Sequence, residues 1–524
     1  MLHDDRPARE TAFAELVAAR GDDDRTALSF EDESWTWREV ITESRRRAGL
    51  VQGIDGHVGL FLENGPEHLF WLLGMALAGV PVVELNPTRR GAELARDITH
   101  TDCALLVTEA SRAPHLDGLV DVPVRNIDTE TYREDLAKAA PAPLTPVTPE
   151  TIFSLVFTSG TTSAPKAVIS TQGRLGRIAL QQRDRRSLTA DDVFYVVMPM
   201  FHSNALMAGI APAVATGGRI VLRRKFSASN FLPDVRRHGV TFFNYVGKPL
   251  SYILAVPEKA DDADNSLRIA FGNEANERDI AEFARRFGCT VIDSYGSSEG
   301  EIRLTRVPGT PPGSLGVGEP GTVVINADTL QECPRAEFDA NGTLLNADEA
   351  IGEIVDTQGA AKFEGYYNNP EATAKRVRNG WTWSGDLAYR DENGYWYFAG
   401  RNDEWLRVDG ENFAAAPVER LLSRYEIFTD VAVYAVPDEH VGDQVMAAVT
   451  VAANETFDPT AFTEFLKAQP DLGTKWTPRY IRISEALPRT PTNKVIKRTL
   501  REEAWNTPDP LYEHHKGTYE RRTH

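Results

Sequence analysis

The chain has 524 residues, of which 42% are apolar and 25% are charged. This apolar content excludes a mainly disordered chain, and the length allows about three or four folding units. Lys and Arg total 57 against 76 Asp and Glu, which gives a net charge of −19. An acidic surface repels phosphates, so neither nucleic acid nor an anionic membrane is expected as the main partner.

The cysteines and the most apolar segment indicate where the protein resides. Cys103, Cys289 and Cys333 are far apart and form neither a disulfide framework nor a CxxC metal motif, as is typical of a reducing compartment. The charged N-terminus leads into no apolar run, so no secretory signal is expected. Residues 69–83 are too few to span a membrane. We therefore expect a cytoplasmic protein without an integral membrane segment.

In the first 150 residues, helical patterns alternate with short apolar strands. We predict helices over residues 38–51 and 66–78, and strands over residues 80–85 and 104–108. A Pro-rich connector follows at residues 140–149. Such alternation is typical of an α/β fold with an at least partly parallel sheet.

The alternation continues to about residue 294 and then gives way to Gly- and turn-rich β segments from Gly313 onward. The predicted strands are 193–197, 219–222, 240–244, 269–271 and 290–294, and the predicted helices are 208–215, 230–237 and 277–287.

A second change of pattern follows Asn402-Asp403. Further helices and strands are predicted beyond it, at residues 417–423, 431–436, 444–451 and 459–468. We therefore expect a large N-terminal domain over residues 1–402, with layered βα subdomains and a β-rich subdomain. A small, mobile α/β domain is expected over residues 403–524. Residues 514–524 are polar and basic and are predicted to be a frayed tail.

The sharpest motif is Phe157-Thr-Ser-Gly-Thr-Thr-Ser-Ala-Pro-Lys-Ala167, which lies between two β-like runs. Its glycine and hydroxylated residues let backbone N–H groups converge on an anion, and Lys166 adds positive charge. It is not a Walker A loop, since no Gly precedes the lysine and no Ser or Thr follows it. The motif predicts a phosphate-binding hairpin, with a Ser/Thr-rich turn as the alternative.

Four other segments carry groups that a nucleotide could use. Ser294-Tyr-Gly-Ser-Ser-Glu299 follows a predicted strand and offers an aromatic ring, hydroxyls and a possible Mg²⁺ ligand. Gly272-Asn273-Glu274 also follows a strand. Asp386 could accept from a ribose diol, with Arg401 as a neighbouring donor. The basic loop 488–498 would let one lysine reach a distant site. Each segment alone is equally consistent with an ordinary turn or a solvated charged face.

Taken in order, these segments resemble the AMP-forming adenylation superfamily of acyl-CoA synthetases, adenylation domains and luciferases. The resemblance covers nearly the whole chain, and the Thr-Ser-Gly-Thr-Thr…Pro-Lys signature is highly specific for it. The sequence is most similar to actinobacterial fatty-acid–CoA ligases and fatty-acid transport-type synthetases, through residues 271–275, 383–390, 406–412 and 436–443.

The resemblance implies a role for each motif residue. The residues that would hold the β,γ-phosphates of ATP are Thr158, Ser159, Gly160, Thr161, Thr162 and Lys166. The residues that would border the adenine and acyl sites are Gly272, Asn273 and Glu274. Tyr295 would stack on adenine, and Ser298 would contact the α-phosphate. Glu299 would bind Mg²⁺. Asp386 would bind the ribose hydroxyls, with Arg401 beside it.

Further roles implied by the resemblance concern catalysis and domain motion. Lys494 would bridge the carboxylate and the α-phosphate, and Lys497 is the alternative for this role. Asp403 would be the interdomain hinge, and Gly410 would lie in the loop that enters for the thioester step. His202 would border the acyl pocket and the thiol tunnel. The segment from Phe242 to Lys248 reads either as the acyl-pocket wall or as a core strand.

The implied activity is activation of a fatty or aromatic carboxylic acid by ATP and Mg²⁺, with release of pyrophosphate and transfer of the acyl group to CoA. Four alternatives remain open, of which the last is luciferase-type oxygenation. One is a nitrite-activating diazotase that acts on an aryl amine in natural-product biosynthesis. Another changes the acceptor to a carrier protein or an amine. The third is a non-catalytic nucleotide-binding protein. The sequence favours neither a monomer nor a dimer.

Three residues depart from the family pattern. Ser163 replaces the usual Gly after the paired threonines, Ser298 replaces the more usual Thr, and Asn493 precedes Lys494 where Gly is common. Ser298 keeps the hydroxyl, and Asn tolerates left-handed backbone better than most residues.

Overall fold

The computed structural model describes residues 11–158, 166–275, 277–300, 302–307, 309–339, 344–359, 362–401, 405–408, 411–438, 442–469, 472, 475–490, 495–515 and 517–522. The chain divides into two compact units. Unit 1 comprises residues 1–300 and 363–374, and unit 2 comprises residues 301–362 and 375–524. The predicted domain boundary at Asn402–Asp403 falls on residues outside the described ranges, and it stays a prediction.

Unit 1 contains two sheets. Its strands are β1 (Thr26–Phe30), β2 (Glu33–Thr36), β3 (His57–Phe61), β4 (Val82–Glu84), β5 (Cys103–Thr108), β6 (Val124–Asn126), β7 (Ile152–Phe157), β8 (Ala167–Thr171), β9 (Val193–Val196), β10 (Arg219–Leu222), β11 (Phe242–Val246), β12 (Ile269–Asn273) and β13 (Thr290–Gly296).

The strands of unit 1 are mostly parallel. One sheet has the order β6-β5-β3-β4-β7-β8, in which only the β7–β8 pair is antiparallel. In the other sheet, β13-β12-β11-β9-β10-β1 run parallel and β2 pairs antiparallel with β1. Central strands of such sheets are covered on both faces, which explains why β3 and β4 are buried along their length and mostly apolar. The predicted α/β class is confirmed.

The helices of the chain are α1 (Phe13–Ala18), α2 (Trp37–Gly49), α3 (Pro66–Ala78), α4 (Gly91–His100), α5 (Glu130–Lys138), α6 (Gln172–Arg185), α7 (Ala211–Thr216), α8 (Ala228–His238), α9 (Pro249–Leu254), α10 (Glu277–Phe287), α11 (Ala347–Ala350), α12 (Pro370–Arg376), α13 (Ala415–Leu422), α14 (Pro459–Lys467) and α15 (Lys497–Glu503), with a 3-10 turn at Ala113–His115 and a π-helix at Ala205–Ile210.

Helix α3 shows how local sequence sets the ends of an element. It begins at Pro66, whose missing N–H would have no partner in a first turn anyway. It ends at Gly79, which adopts a left-handed conformation with φ 68° and caps the helix. Both ends agree with the sequence prediction.

Unit 2 is richer in antiparallel β-structure. Its strands are β14 (Arg303–Thr305), β15 (Val317–Gly318), β16 (Thr322–Ile325), β17 (Gly352–Asp356), β18 (Val377–Arg378), β19 (Trp381–Arg390), β20 (Trp396–Arg401), β21 (Trp405–Val408), β22 (Glu411–Ala414), β23 (Phe428–Asp438), β24 (Gly442–Val451), β25 (Tyr480–Ile483), β26 (Leu511–His515) and β27 (Thr518–Arg521).

Two sheets organise unit 2 beside the β14–β15 pair. The first has the order β16-β17-β19-β18, with β20 paired to β19. The second has the order β22-β21-β24-β25-β26-β27, with β23 paired to β24.

The frayed tail predicted for residues 514–524 is wrong for the described part of that segment. β26 and β27 form an antiparallel hairpin on the edge of β25. Tyr519 is buried and donates a hydrogen bond from its hydroxyl to Pro478 O at 2.7 Å. The apolar residues among the polar ones pack into the core of unit 2: Leu511 and Tyr519 are buried, and this signal was missed in the sequence. Among the described residues, no helix combines the length and the apolar sequence needed to cross a membrane.

Candidate active site

The predicted phosphate-binding motif lies between the antiparallel strands β7 and β8 of unit 1. Next to these strands, Thr158 N donates to Lys166 O at 3.1 Å. The Lys166 ammonium lies 5.8 Å from the centre of the Tyr366 ring. Ser159, Gly160, Thr161 and Thr162 lie outside the described residues, and their role stays a prediction. The two strands that flank the motif are therefore paired as expected for a hairpin.

The strands β11, β12 and β13 are parallel neighbours, so their carboxyl ends meet at one edge of the sheet. Gly272 lies at this edge, where a Cβ would lie 2.3 Å from Tyr245 O. Asp293 is buried between the strands, and its Oδ2 accepts from the Tyr245 hydroxyl at 2.9 Å and from Ala275 N at 3.1 Å. These contacts fix the turn after β12, in which Glu274 adopts φ 67°.

Non-glycine residues rarely adopt a positive φ, so the backbone at Glu274 is strained. Asn273 secures the same turn, because its amide donates to the carbonyl oxygen of Ser294. The turn that carries the predicted adenine-site residues is thus held to the last part of β13. Such strain is commonly found at functional sites.

Tyr295, near the end of β13, is half-buried, and Ser298 lies in the loop that follows. The Ser298 hydroxyl lies 2.9 Å from the Ser203 hydroxyl. Arg174, buried on α6, donates to Ser298 O at 2.6 Å and to Ile169 O of β8 at 2.8 Å. The guanidinium thereby links the loop to the strand that leaves the phosphate-binding motif.

Glu299 is buried, and its Oε1 accepts a hydrogen bond from the Tyr366 hydroxyl at 2.6 Å. Magnesium usually takes one or two protein carboxylates and completes its shell with water and substrate phosphates. Glu299 supplies one fixed carboxylate, next to the hydroxyl residue Ser298, and it lies in the unit that carries the phosphate-binding hairpin. These donors fit Mg²⁺. Among the described residues, no group of three or more His, Cys, Asp and Glu side chains could hold a metal ion by itself.

His202 lies in the turn between β9 and the π-helix. The turn is held by Asn64, whose amide donates to Met198 O at 3.0 Å and whose Oδ1 accepts from Met200 N at 2.8 Å. His202 Nδ1 accepts from Asn204 N at 3.3 Å. Burial lowers the pKa of the imidazole to about 4, and the Glu274 carboxylate opposes the shift. The ring is therefore neutral at physiological pH.

The predicted ribose-binding pair lies in unit 2. Asp386 of β19 and Arg401 of β20 are directly opposite each other in the antiparallel ladder. This places the two backbones side by side, as expected for residues that share one ligand. Asp386 is half-buried.

Lys494, Asp403 and Gly410 lie outside the described residues, and their roles stay predictions. The alternative lysine is described: Lys497 Nζ lies 2.9 Å from Glu419 Oε1, and both side chains are mostly buried. Glu419 Oε1 also accepts from Val433 N at 2.7 Å. An ammonium held in this way within unit 2 is less available to bridge two substrate anions.

Several residues of the site were missed in the sequence, namely Asn64, Arg174, Ser203, Asp293 and Tyr366. None of them was assigned a role from the sequence, although Asp293 lies in a predicted strand and Ser203 directly follows His202. The hydrogen bond between Tyr366 and Glu299 spans 67 positions, and that between Arg174 and Ser298 spans 124. Only the tertiary structure brings these partners together.

A Thr-rich hairpin and the strand ends of a parallel sheet, joined by buried side chains, define a nucleotide-binding α/β enzyme. Residues 15–367 match the family described as AMP-binding enzyme, and residues 417–494 match the AMP-binding enzyme C-terminal domain. The chain belongs to the AMP-binding enzyme family.

Two relatives are similar to the chain along almost its whole length. The chain is 49% identical over 515 residues to the steroid-22-oyl-CoA synthetase of Rhodococcus jostii (strain RHA1), covering 96% of this chain and 93% of that protein. It is 46% identical over 513 residues to the medium/long-chain-fatty-acid–CoA ligase FadD17 of Mycobacterium tuberculosis (strain ATCC 25618 / H37Rv), covering 97% of this chain and 99% of that one.

The fold is also found in ATP-bound MatB from Rhodopseudomonas palustris, with a TM-score of 0.82 at 23% identity over 94% of this chain and 98% of that one. The predicted class of enzyme is confirmed: an AMP-forming ligase that joins an acid to CoA through an acyl-adenylate. Its substrates are ATP, CoA and a small-molecule acid. The actinobacterial character inferred from the sequence agrees with these relatives.

Proposed function

We propose that this enzyme activates a large apolar carboxylic acid, and in the first place a steroid with a carboxylated side chain. The 49% identity to a steroid-22-oyl-CoA synthetase over nearly the full length of both chains carries this proposal. A medium- or long-chain fatty acid is the second candidate, supported by 46% identity to FadD17. The relatives named above give no support to a nitrite-activating diazotase.

The burial of β11 narrows where the acid would bind. Phe242, Phe243 and Tyr245 are fully buried, and the Phe243 ring packs 5.1 Å from the ring of Phe231. These rings belong to the core, so the acyl-pocket wall would begin only at Val246 and Lys248, which are half-buried. His202 lies in the turn after β9, the strand that pairs with β11. Because its ring is neutral, it would place no charge beside an apolar acid.

For the first half-reaction, the enzyme must bring a carboxylate to the α-phosphate of ATP although both are anionic. Lys166 and the threonine-lined hairpin would hold the β,γ-phosphates, and Ser298 would contact the α-phosphate. Glu299 would hold Mg²⁺, which when bound neutralises charge on the phosphates. Tyr295 would stack on adenine, and Asp386, with Arg401 beside it, would bind the ribose hydroxyls.

Lys494 is proposed as the ammonium that bridges the carboxylate and the α-phosphate. The ion pair of Lys497 with Glu419 supports this choice, because Lys497 already has a carboxylate partner within unit 2. For the second half-reaction, rotation about Asp403 would withdraw Lys494 and admit the CoA thiol along the loop of Gly410. This motion requires residues 403–524 to move as a domain.

The acid is identified by measuring pyrophosphate release with ATP and a panel of acids. The panel contains a steroid with a carboxylated side chain, fatty acids of increasing length, an aromatic acid, and nitrite with an aryl amine. We expect the highest kcat/KM with the steroid acid and a CoA-dependent thioester product. A higher kcat/KM with a fatty acid would transfer the proposal to that class. Turnover only with nitrite would overturn it.

The bridging lysine is tested by separating the two half-reactions. Lys494→Ala should abolish most acid-dependent pyrophosphate exchange and spare thioester formation from preformed acyl-adenylate. Lys497→Ala is the matched control, and it should leave pyrophosphate exchange within about threefold of wild type, since a largely enclosed ion pair contributes mainly to stability. The reverse pattern would assign the bridging role to Lys497. Equal loss of both half-reactions in Lys494→Ala would contradict the assignment.

A further inference from the structure

Tyr366 contacts two parts of the predicted ATP site that are far apart in the sequence. Its hydroxyl donates to Glu299 Oε1 at 2.6 Å. The Lys166 ammonium lies 5.8 Å from the centre of its ring, within the range of a cation–π attraction. Tyr366 is 6% exposed and Glu299 is 8% exposed, so water does not strongly weaken the hydrogen bond between them. One aromatic residue thus touches both a predicted phosphate ligand and the predicted metal ligand.

The backbone that carries Tyr366 is fixed against β8, the strand that leaves the phosphate-binding hairpin. Ile169 N donates to Gly365 O at 3.1 Å, and Tyr367 N donates to Ala167 O at 2.9 Å. Gly365 has φ 94°, a conformation that strongly favours glycine. The phenol therefore extends from a backbone that is hydrogen-bonded to the hairpin strand itself.

Glu364, which precedes this segment, adds a second attachment. Its carboxylate accepts from Thr171 N at 2.8 Å and from the Thr171 hydroxyl at 2.5 Å, at the end of β8. The side chain of Phe363 packs against the Tyr366 ring, with ring centres 5.1 Å apart. The position of the Tyr366 hydroxyl is thus set by contacts on both sides along the chain.

We propose that Tyr366 is a positioning residue that holds the Glu299 carboxylate in the orientation in which it binds Mg²⁺. This inference rests on the proposed role of Glu299 as the metal ligand. A carboxylate can rotate about its last side-chain bond, and a hydrogen bond to one oxygen fixes the direction of the other. Removing such a donor from a metal-ligating side chain typically costs 10- to 100-fold in metal affinity or activity.

The test is Tyr366→Phe in the full-length enzyme, because this change removes only the hydroxyl and keeps the ring beside Lys166. Mn²⁺ is titrated by electron paramagnetic resonance in the presence of α,β-methylene-ATP, which the enzyme does not cleave. We expect Mn²⁺ to bind at least tenfold more weakly than in wild type. In turnover, the Mg²⁺ concentration for half-maximal rate should rise by a similar factor, while kcat at saturating Mg²⁺ changes less.

Tyr367→Phe is the matched control, because the Tyr367 hydroxyl also donates to a carboxylate, Asp102 Oδ2, at 2.7 Å. It should bind Mn²⁺ as wild type does. The thermal unfolding temperatures of the two variants without metal should be similar, which separates a metal effect from a loss of folding. A tenfold loss of Mn²⁺ affinity in both variants would overturn the inference.

Glu299→Gln distinguishes failure of this inference from failure of the proposed function. If Glu299→Gln binds Mn²⁺ as wild type does, Glu299 is not the metal ligand, and both its proposed role and the positioning role of Tyr366 are wrong. If Glu299→Gln weakens binding but Tyr366→Phe changes it by less than twofold, only the positioning role of Tyr366 is wrong. The double variant provides a further check, since it should bind Mn²⁺ no more weakly than Glu299→Gln alone.

Discussion

His202 is expected to remain neutral throughout the pH range in which the enzyme is active. Burial lowers its pKa from 6.5 to about 4, and the opposing effect of Glu274 is smaller. Because Nδ1 accepts from Asn204 N at 3.3 Å, the neutral ring carries its proton on Nε2. His202 can therefore donate a hydrogen bond toward a ligand but adds no positive charge.

The lowered pKa has a defined consequence for stability. Between pH 6.5 and 4, the unfolded chain binds a proton at this position and the folded protein does not, so the free energy of unfolding decreases as the pH falls. Lowering the pH from 7.5 to 5.5 then costs ~1.4 kcal/mol. Because the ring keeps some exposure to solvent, we expect about 1 kcal/mol. The lower pH stays above the pI of about 5.1, which limits precipitation.

Two measurements check this expectation. In enzyme labelled with ¹³C-histidine, the His202 resonance is assigned by its loss in His202→Asn, and it should show no titration down to pH 5.5. In urea unfolding, wild type should lose about 1 kcal/mol relative to His202→Asn between pH 7.5 and 5.5. A titration midpoint near 6.5 with equal pH dependence of the two proteins would refute the reasoning.

Three further changes test buried contacts, two of them at the site. Asp97 is buried, and burial raises its pKa to about 6, so the free energy of unfolding decreases as the pH rises from 4 to 6. In urea unfolding, the free energy of unfolding of Asp97→Asn should rise by ~1–2 kcal/mol relative to wild type across that pH range. A difference between the two proteins that does not change with pH would contradict this. Gly272→Ala places a Cβ 2.3 Å from Tyr245 O and should lower the free energy of unfolding by about 1–3 kcal/mol, whereas wild-type urea stability would show that the strands can separate. Arg174→Lys cannot reproduce the forked contact with Ser298 O and Ile169 O, so KM for ATP should rise about tenfold with little change in KM for the acid, and equal changes in both would contradict a local effect.

Local sequence determined much of the fold because its signals act over a few residues. The predicted limits of the helix at residues 66–78 match those of α3, since Pro66 and Gly79 act at its own ends. The alternation of apolar strands with amphipathic helices was enough to predict parallel sheets. The motif from Thr158 to Lys166 specified the family, because few other structures need so many small donors and a lysine in one turn.

Only the tertiary structure decided which side chains meet. The pattern around Phe242 fits a core strand as well as a pocket wall, and burial assigns most of it to the core. The β26–β27 hairpin is polar enough to be read as a tail, yet it is stabilised by pairing with β25 and by the buried ring of Tyr519. The contact of Tyr366 with Glu299 has no local signature at all. Periodicity records how each segment is buried, whereas the partner that buries it depends on how distant segments pack.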